Sequence, residues 1–523
     1  MLRTLIKRKK GTILSGALII GLASLLSRVL GLFRDRLFAE NFGASNLLDS
    51  YYAAFRIPDL VFNLLVLGAL SSAFVPIFIE YINKDKEEAN KIASSILNIS
   101  LMVLIAVSGL LFLFIPKLIV FIAPGFSEEQ RELTALLTRI MLVSPIFFGI
   151  SNVFSGILNS YKRFIAYSLA PILYNVGIII GALFFVPRWG IYGLAFGVVL
   201  GSMLHMLIQI PAVISSGFKY NLSINIFHQG VKKILKLMIP RTIGLAVTQL
   251  NLWVITILAS MTDEGGISIF NLSNNLQSLP IGIFGIAFAV SSFPYLADSF
   301  SKNNINKFKN YFSKTFCKIL FFVIPASILL LIERAQIVRL VLGTGNFDWQ
   351  DTFLTAQSLG YFSIGVFAQA LVPLIARAFY SIQDTKTPVI ISITSVAVNI
   401  VASLILLPGM GILGLSLAFS IGSFVNILLL LIFLRVKVGD LNDAYIFACS
   451  MKIVAMSLIM GGVVYIILNL VAPLVDMRTF WGIFMQAGIS TLGGIIIFIA
   501  LAYLLKMKEI RDIKEVFGMG NRG

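Results

Sequence analysis

Charge is scarce in this sequence: only 12% of its 523 residues are Asp, Glu, Lys or Arg, while 58% are hydrophobic. A water-soluble globular fold carries about twice that share of charge and is excluded. The only two cysteines, Cys317 and Cys449, fall in separate apolar segments, and the only two histidines, His205 and His228, stand in no metal-ligand spacing. Neither a disulfide framework nor a metal site is supported by such spacing. Catalytic motifs are missing too: there is no Walker loop, no HExxH, no nucleophile elbow, and no long loop to hold a pair of catalytic acids. No enzyme constellation appears in the sequence.

What is abundant is apolar run length. Stretches long enough to cross a bilayer recur from Leu14 to Leu505. At roughly 20 apolar residues per crossing, polar breaks divide them into about fourteen helices. The predicted extents are 13–41, 48–82, 89–115, 131–160, 164–187, 190–216, 230–261, 265–298, 306–333, 352–382, 387–408, 411–436, 443–472 and 478–506. The first run follows a basic start (Arg3, Lys7, Arg8, Lys9, Lys10) like that of a signal peptide, but it is too long and lacks a small-residue cleavage site, so it reads as a retained helix.

The net charge of +17 is distributed by loop, which argues against nucleic acid as a partner. One side of the membrane receives the N-terminus, Lys84, Lys86, Lys162, Arg163, Lys219, Lys232, Lys233, Lys302, Lys307, Lys309, Lys386, Arg435, Lys437, Lys506, Lys508 and Arg511. The other receives only Lys117, Arg131, Arg188, Arg334, Arg339 and Arg478. By the positive-inside rule, the number of spans is even and both termini are cytoplasmic.

The chain also repeats itself. Pro187 to Ser202 reads PRWGIYGLAFGVVLGS and Pro408 to Ser423 reads PGMGILGLSLAFSIGS, with seven positions identical and no gap. Both stretches join the fifth and sixth helices of a half, an even offset that implies parallel repeats. Asn175 and Asn399 lie at comparable places upstream, and Pro58 with Ser71-Ser72 is echoed by Pro280 with Ser291-Ser292. The expected fold is therefore an all-α integral membrane protein of two six-helix lobes, 1–217 and 218–437, followed by a helix pair and basic cytoplasmic tail at 438–523.

A charged side chain at the centre of a lone helix in lipid costs about 2.5 to 3.5 kcal/mol, so such residues face protein or water. In helix one, Ser24, Ser27, Arg28, Gly31, Arg34 and Asp35 share a broad face by three, four and seven spacing. In helix two, Asp49, Tyr52, Arg56, Asp59 and Asn63 form one continuous stripe. Together these faces can line one wet cavity. Arg34 and Asp35 also fit a local ion pair near a helix end, and Asp49 and Asp59 read equally well as structural. Arg28 and Arg56 sit deeper and carry a permanent, forked charge that matches phosphate oxygens. Farther along, Asn271, Asn274, Asn275 and Ser278 in helix eight, and Asn152, Ser155, Gly156 and Asn159 in helix four, read as interhelical packing. Arg377 in helix ten can snorkel or pair with Asp384, and Thr387-Pro388 reads as a helix start.

The run SRVLGLFRDR at Ser27 to Arg36, DSYYAAFRIPDL at Asp49 to Leu60, GALSSAFVP at Gly68 to Pro76, APGF at Ala123 to Phe126 and RAFYSIQDTKTPV at Arg377 to Val389 resembles the MurJ (MviN) lipid II flippases of the MOP exporter superfamily. The resemblance implies two six-helix lobes with two extra C-terminal helices, in the bacterial cytoplasmic (inner) membrane. It implies a flippase that carries undecaprenyl-diphosphate-linked peptidoglycan precursor from the inner to the outer leaflet by alternating access, with other cell-wall synthesis proteins as further partners. The residues matching the family's central cavity are Ser27, Arg28, Arg34, Asp35, Asp49 and Arg56, with Asp59, Asn63, Asn275 and Arg377 as secondary cavity candidates. Where the family has basic residues and a Glu in helix two, this chain has Phe62, Asn63 and Leu67, and Asn275 replaces an Arg in helix eight. No cofactor is implied. Membrane potential or ion coupling is the expected drive, but a sodium site is unsupported, since only Asn399 matches and the acidic partners are absent. Two alternatives stand beside this reading: an exporter of the same fold for another lipid-linked glycan, and a non-transporting membrane scaffold.

Overall fold

The structure is a computed structural model describing residues 13–67 and 74–510. The basic start, most of the Gly68 to Pro76 motif with Ser71-Ser72, and the tail from Arg511 lie outside the described residues. Every regular element among the described residues is helical.

Among the described residues, eleven helices are long and apolar enough to cross a membrane: Lys86–Ile122, Glu128–Ser160, Phe164–Trp189, Tyr192–Ser215, Gly266–Ser301, Ile305–Ile332, Trp349–Ser381, Lys386–Met410, Ile412–Val438, Asp443–Leu474 and Phe480–Leu504. Each overlaps one predicted span. Several run longer than the pattern suggested. Lys86–Ile122 continues through Pro116 for 37 residues, about 55 Å at 1.5 Å per residue. Its polar first turn, capped by the Asp85 carboxylate on the Glu87 N–H, therefore extends beyond a hydrocarbon core of about 30 Å.

Two compact units divide the chain, Met1–Ser268 and Ile269–Gly523. In the first, helix Ile13–Phe42 packs along Phe164–Ile180. Its other face leaves Leu22, Leu25, Leu26, Val29 and Phe33 44–60% exposed, an apolar surface suited to lipid. Phe74, Phe78, Ile92, Ile96, Ile157, Val231 and Ile234 form one core of this unit, and Ile57, Val61, Ile115, Ile119 and Ile122 another. The second unit is built on Phe308, Phe312, Phe321, Leu371, Leu374 and Phe379. Asp443–Val471 lies against Ile305–Ile332 there, and Phe480–Leu504 against Asp443–Val471.

The repeat seen in the sequence is also a repeat of backbone. Gly190 (φ 55°, ψ −140°) ends one helix before Tyr192–Leu207, and Gly411 (φ 55°, ψ −137°) stands at the matching junction before Ile412–Val438. An L side chain rarely adopts that conformation. Helical prolines recur as well. Short π-helical turns follow Pro58 at Phe62–Leu67 and Pro280 at Ile281–Ile286, one in each unit. A proline lacks the N–H that an α-helix needs, and a wider turn is one way the backbone absorbs the loss.

Between helices Trp349–Ser381 and Lys386–Met410, the Asp384 carboxylate accepts the N–H groups of Lys386 and Thr387, each at 3.1 Å, and pairs with Lys437. Arg377 does not reach it. Instead, Arg377 donates to the carbonyl of Pro373 one turn earlier, at 3.0 Å. The Lys437 ammonium, arriving from the end of the neighbouring helix, takes the place the sequence offered to Arg377. Partial burial pushes the Asp384 carboxyl upward, but hydrogen bonds from Lys437 and Thr387 outweigh it and hold the carboxyl at about 2.

Gly190→Ala and Gly411→Ala should each destabilise by about 1–3 kcal/mol in thermal melts of the detergent-solubilised chain. Open space surrounds both positions, so the cost is one of backbone alone. The Asp384 tie, whose carboxyl is depressed by folding, is fully present above the unfolded value near 4 and should be lost as pH falls from there toward about 2. Asp384→Asn should lower the melting temperature at neutral pH and flatten its dependence on pH across that acid window.

Candidate functional site

Arg34, Asp35 and Ser27 meet at the seam between Ile13–Phe42 and Phe164–Ile180. The Arg34 guanidinium donates from Nε (3.1 Å) and Nη2 (2.8 Å) to Oδ1 of Asp35, and from Nη1 to Oδ1 of Asn175 at 3.3 Å. Its plane also lies over the Phe38 ring, 5.5 Å from the centroid. Asn175 completes the seam by donating from Nδ2 to the Ser27 carbonyl (3.2 Å) and hydroxyl (3.1 Å). Adjacent side chains on a helix do not normally face each other, and only the reach of arginine lets this pair close. The Asp35 side chain is 3% exposed and that of Arg34 21%, so the pair is shielded from water. Arg28, half-buried, lies two turns below Asp35 on the same stripe.

Helix two is not one rod. Asn46–Ala54 and Arg56–Val61 are separated by a break at Phe55. Pro58 has no N–H to give the carbonyl of Ala54, which lies 3.3 Å from the hydroxyl of Thr138 on a neighbouring helix, a hydroxyl whose shorter bond, 2.7 Å, goes to the carbonyl of Thr134. Asp49 is buried and accepts both the N–H (2.7 Å) and the hydroxyl (2.6 Å) of Ser268, together with backbone N–H groups of Gly265 and Ile267. It thus serves the first turn of the helix beginning at Gly266, as an N-capping carboxylate does. Arg56 is 6% exposed, with Nε donating to the Thr256 hydroxyl at 2.6 Å and its carbonyl accepting Trp253 Nε1 at 3.2 Å.

The two stripes share a centre. Tyr52 lies within the electrostatic reach of Asp35, Arg34, Asp49 and Arg56, while Tyr174 lies within that of Asp59 and Arg34. Tyr51 packs edge to face on Phe38, Tyr52 and Phe55. The Tyr52 hydroxyl is buried and has no hydrogen-bond partner among the described residues. Buried polar atoms are nearly always bonded, so an orphan hydroxyl in the field of two carboxylates, Asp35 and Asp49, and two guanidiniums, Arg34 and Arg56, suits a group that is not part of the protein.

The secondary candidates are divided. Asp59 and Asn63 belong to the same unit, where Asn63 donates to the Asp59 carbonyl one turn earlier at 2.8 Å. Asn275 and Arg377 belong to the second unit, and the Asn275 carbonyl accepts the Ser278 hydroxyl at 2.8 Å. Nearby, Gln369 donates to Gln277 at 3.2 Å, in line with interhelical packing. Phe62 packs on Phe148, with centroids 4.8 Å apart. Sequence reasoning did not find Thr256, Trp253 or Ser268, whose partners lie about 200 residues upstream, and noticed Asn175 only through its echo at Asn399.

A family model described as lipid II flippase MurJ matches residues 38–485. The chain is 31% identical to the lipid II flippase MurJ of Burkholderia cenocepacia, over 79% of its own length and 82% of that protein's. It is 30% identical to a probable lipid II flippase MurJ of Thermotoga maritima, over 95% and 97% of the two chains. Among solved structures, it is similar to a lipid II flippase MurJ in an inward closed conformation, with a TM-score of 0.79, 29% identity, and coverage of 95% and 99%. It also shares its fold with an inward-facing multidrug-resistance MATE transporter of the MOP superfamily, at a TM-score of 0.68, 16% identity, and coverage of 80% and 96%.

Asp49→Ala should lower the melting temperature of the detergent-solubilised chain, by an amount equivalent to about 2–4 kcal/mol, because it strips buried N–H donors of their acceptor. Tyr52→Phe removes no hydrogen bond and should leave stability within about 0.5 kcal/mol of wild type.

Proposed function

This chain belongs to the lipid II flippase MurJ family, and on that premise we propose that the Arg-rich cluster of its first unit is where the diphosphate of the lipid-linked precursor is held. It is a multi-pass membrane transporter and not a catalyst: it moves lipid II between leaflets, by alternating access, for peptidoglycan synthesis. The observation that carries the assignment of the site is the gathering of Arg34, Asp35, Asp49 and Arg56 around the orphan hydroxyl of Tyr52.

Arg28, Arg34 and Arg56 supply forked donors for phosphate oxygens, and in a low-dielectric setting such charge-assisted bonds are about twice as strong as neutral ones. Asp35 keeps Arg34 paired until an anion arrives, which limits repulsion among the guanidiniums when no cargo is bound. Tyr52 adds a neutral donor. Asp49 serves as a strut, holding the start of the helix at Gly266 in place. Phe62 and Asn275, where the family pattern has cations, leave the grip on the head group to the N-terminal residues. The turns after Pro58 and Pro280 are the positions where helices two and eight bend.

The eleven apolar helices, with Ile13–Phe42, Gln229–Ala259 and the segments Asn46–Ala54 to Phe62–Leu67 and Phe74–Lys84 taken as one crossing, support a reading of fourteen spans with both termini cytoplasmic. The repeated junction at Gly190 and Gly411 supports two parallel six-helix repeats, 1–217 and 218–437, with a helix pair following. No resident cofactor enters the cycle. An electrical potential worth about 2.3 kcal/mol per charge per 100 mV can drive it. Proteins that make and consume the precursor are the partner class this role implies.

In cells depleted of their own lipid II flippase, the wild-type chain should restore growth, and Arg28→Ala, Arg34→Ala or Arg56→Ala should abolish rescue at equal membrane abundance. Growth sustained by both Arg28→Ala and Arg56→Ala would reject the phosphate clamp.

A further inference from the structure

The two cysteines, 132 residues apart and on different helices, are brought together by the fold. Cys317 on Ile305–Ile332, Cys449 on Asp443–Val471 and Glu509 beyond the end of Phe480–Leu504 place their ligand atoms within 4.8 Å of one another. All three residues are buried, at 0%, 6% and 5% exposure. These three positions are the whole of this group, and each comes from a different segment of the second unit.

Glu509 is the informative member. Its carboxylate accepts the Cys449 thiol at 3.8 Å and the Tyr445 hydroxyl at 3.5 Å, both long contacts from weak or distant donors. A buried carboxylate so thinly supported is costly unless a cation shares its site. The ring of Tyr445 carries the Lys508 ammonium on its face, 5.5 Å from the centroid.

We propose that Cys317, Cys449 and Glu509 form a binding site for one thiophilic metal ion, zinc(II) being the ion their geometry fits. Two sulfurs and an oxygen around a tetrahedral zinc, with Zn–S about 2.3 Å and Zn–O about 2.1 Å, lie about 3.6–3.8 Å apart. The 3.8 Å between Cys449 Sγ and Glu509 already matches that spacing. Two thiolates select against sodium, magnesium and calcium, which prefer oxygen. Binding releases both thiol protons, and the fourth position is left to water. Tyr445, donating to the same Oε1 that faces Cys449, is the group that would orient the carboxylate. An ion here joins Ile305–Ile332, Asp443–Val471 and the segment after Phe480–Leu504, so it acts as a staple on the C-terminal helix pair.

The chain contains no other cysteine, so any sulfur-to-metal signal reports these two residues alone. The full-length chain, purified in detergent, reduced and stripped with a chelator, is loaded with zinc(II) alone and desalted. About one equivalent should remain, with a rise in melting temperature, and Cys317→Ser/Cys449→Ser should retain at least about tenfold less. Glu509→Gln should weaken retention by about tenfold. Cobalt(II) in the wild-type chain should give the near-ultraviolet thiolate-to-cobalt absorption of a tetrahedral site. That measurement needs no variant, so misfolding of a serine variant cannot rescue or sink the idea. Absence of that band, zinc retention equal in the double variant, or a reduced chain that holds no zinc would each overturn the site.

Discussion

No water inside a bilayer will solvate a charge or an unpaired peptide group, so each must find its partner within the protein. This chain's first unit is arranged around that requirement. Arg34 rests on Asp35 and Asn175, Arg56 on Thr256, and Asp49 on Ser268 and its neighbours. Arg34, Arg56 and Asp49 are thus each tied to a different helix, and those helices are held by the same bonds that make these charges tolerable. The polar face is a mechanical part of the fold before it is a binding surface.

That dual use alters what the individual residues are for. Asp49, which a pattern of spacings puts beside the arginines, spends its lone pairs on backbone donors of the helix start at Gly266. Asp35 spends its own on Arg34. The group with capacity left over is neutral: the Tyr52 hydroxyl, buried in the middle of the charged residues. In a low-dielectric site, a pre-placed neutral donor costs little to keep empty and strengthens any anion that enters.

Much of the fold was legible because long apolar runs and basic loops obey strong, local rules. The matched glycines at 190 and 411 were legible too, since a repeat in sequence became the same positive φ twice. Interruptions were not. The predicted span runs through Phe55 and through Phe62–Leu67, yet the helix is interrupted in one place, where Pro58 lacks the N–H for Ala54, and widens in the other, and neither change is marked by a loss of apolar residues. The site was half legible. Stripes of three and four spacing found Arg34, Asp35, Asp49 and Arg56, but nothing local announces Thr256 or Ser268, which matter only because folding brings them some 200 residues back. Of the two readings of Arg377, the pair with Asp384 is the one that does not form: Asp384 was near in sequence, but Lys437 was nearer in space.

The carbonyl of Ala54 is a small feature with a larger consequence. Its helix leaves it without a donor, and the hydroxyl that takes over is on another helix, at Thr138. That hydroxyl has a single hydrogen and two acceptors, the carbonyl of Thr134 in its own helix at 2.7 Å and that of Ala54 across the seam at 3.3 Å. A donor with a second acceptor of its own is satisfied whether or not the neighbour stays in place, so the two helices can part here at the expense of one carbonyl only, and the proline makes this the point along helix two where a change of register costs least.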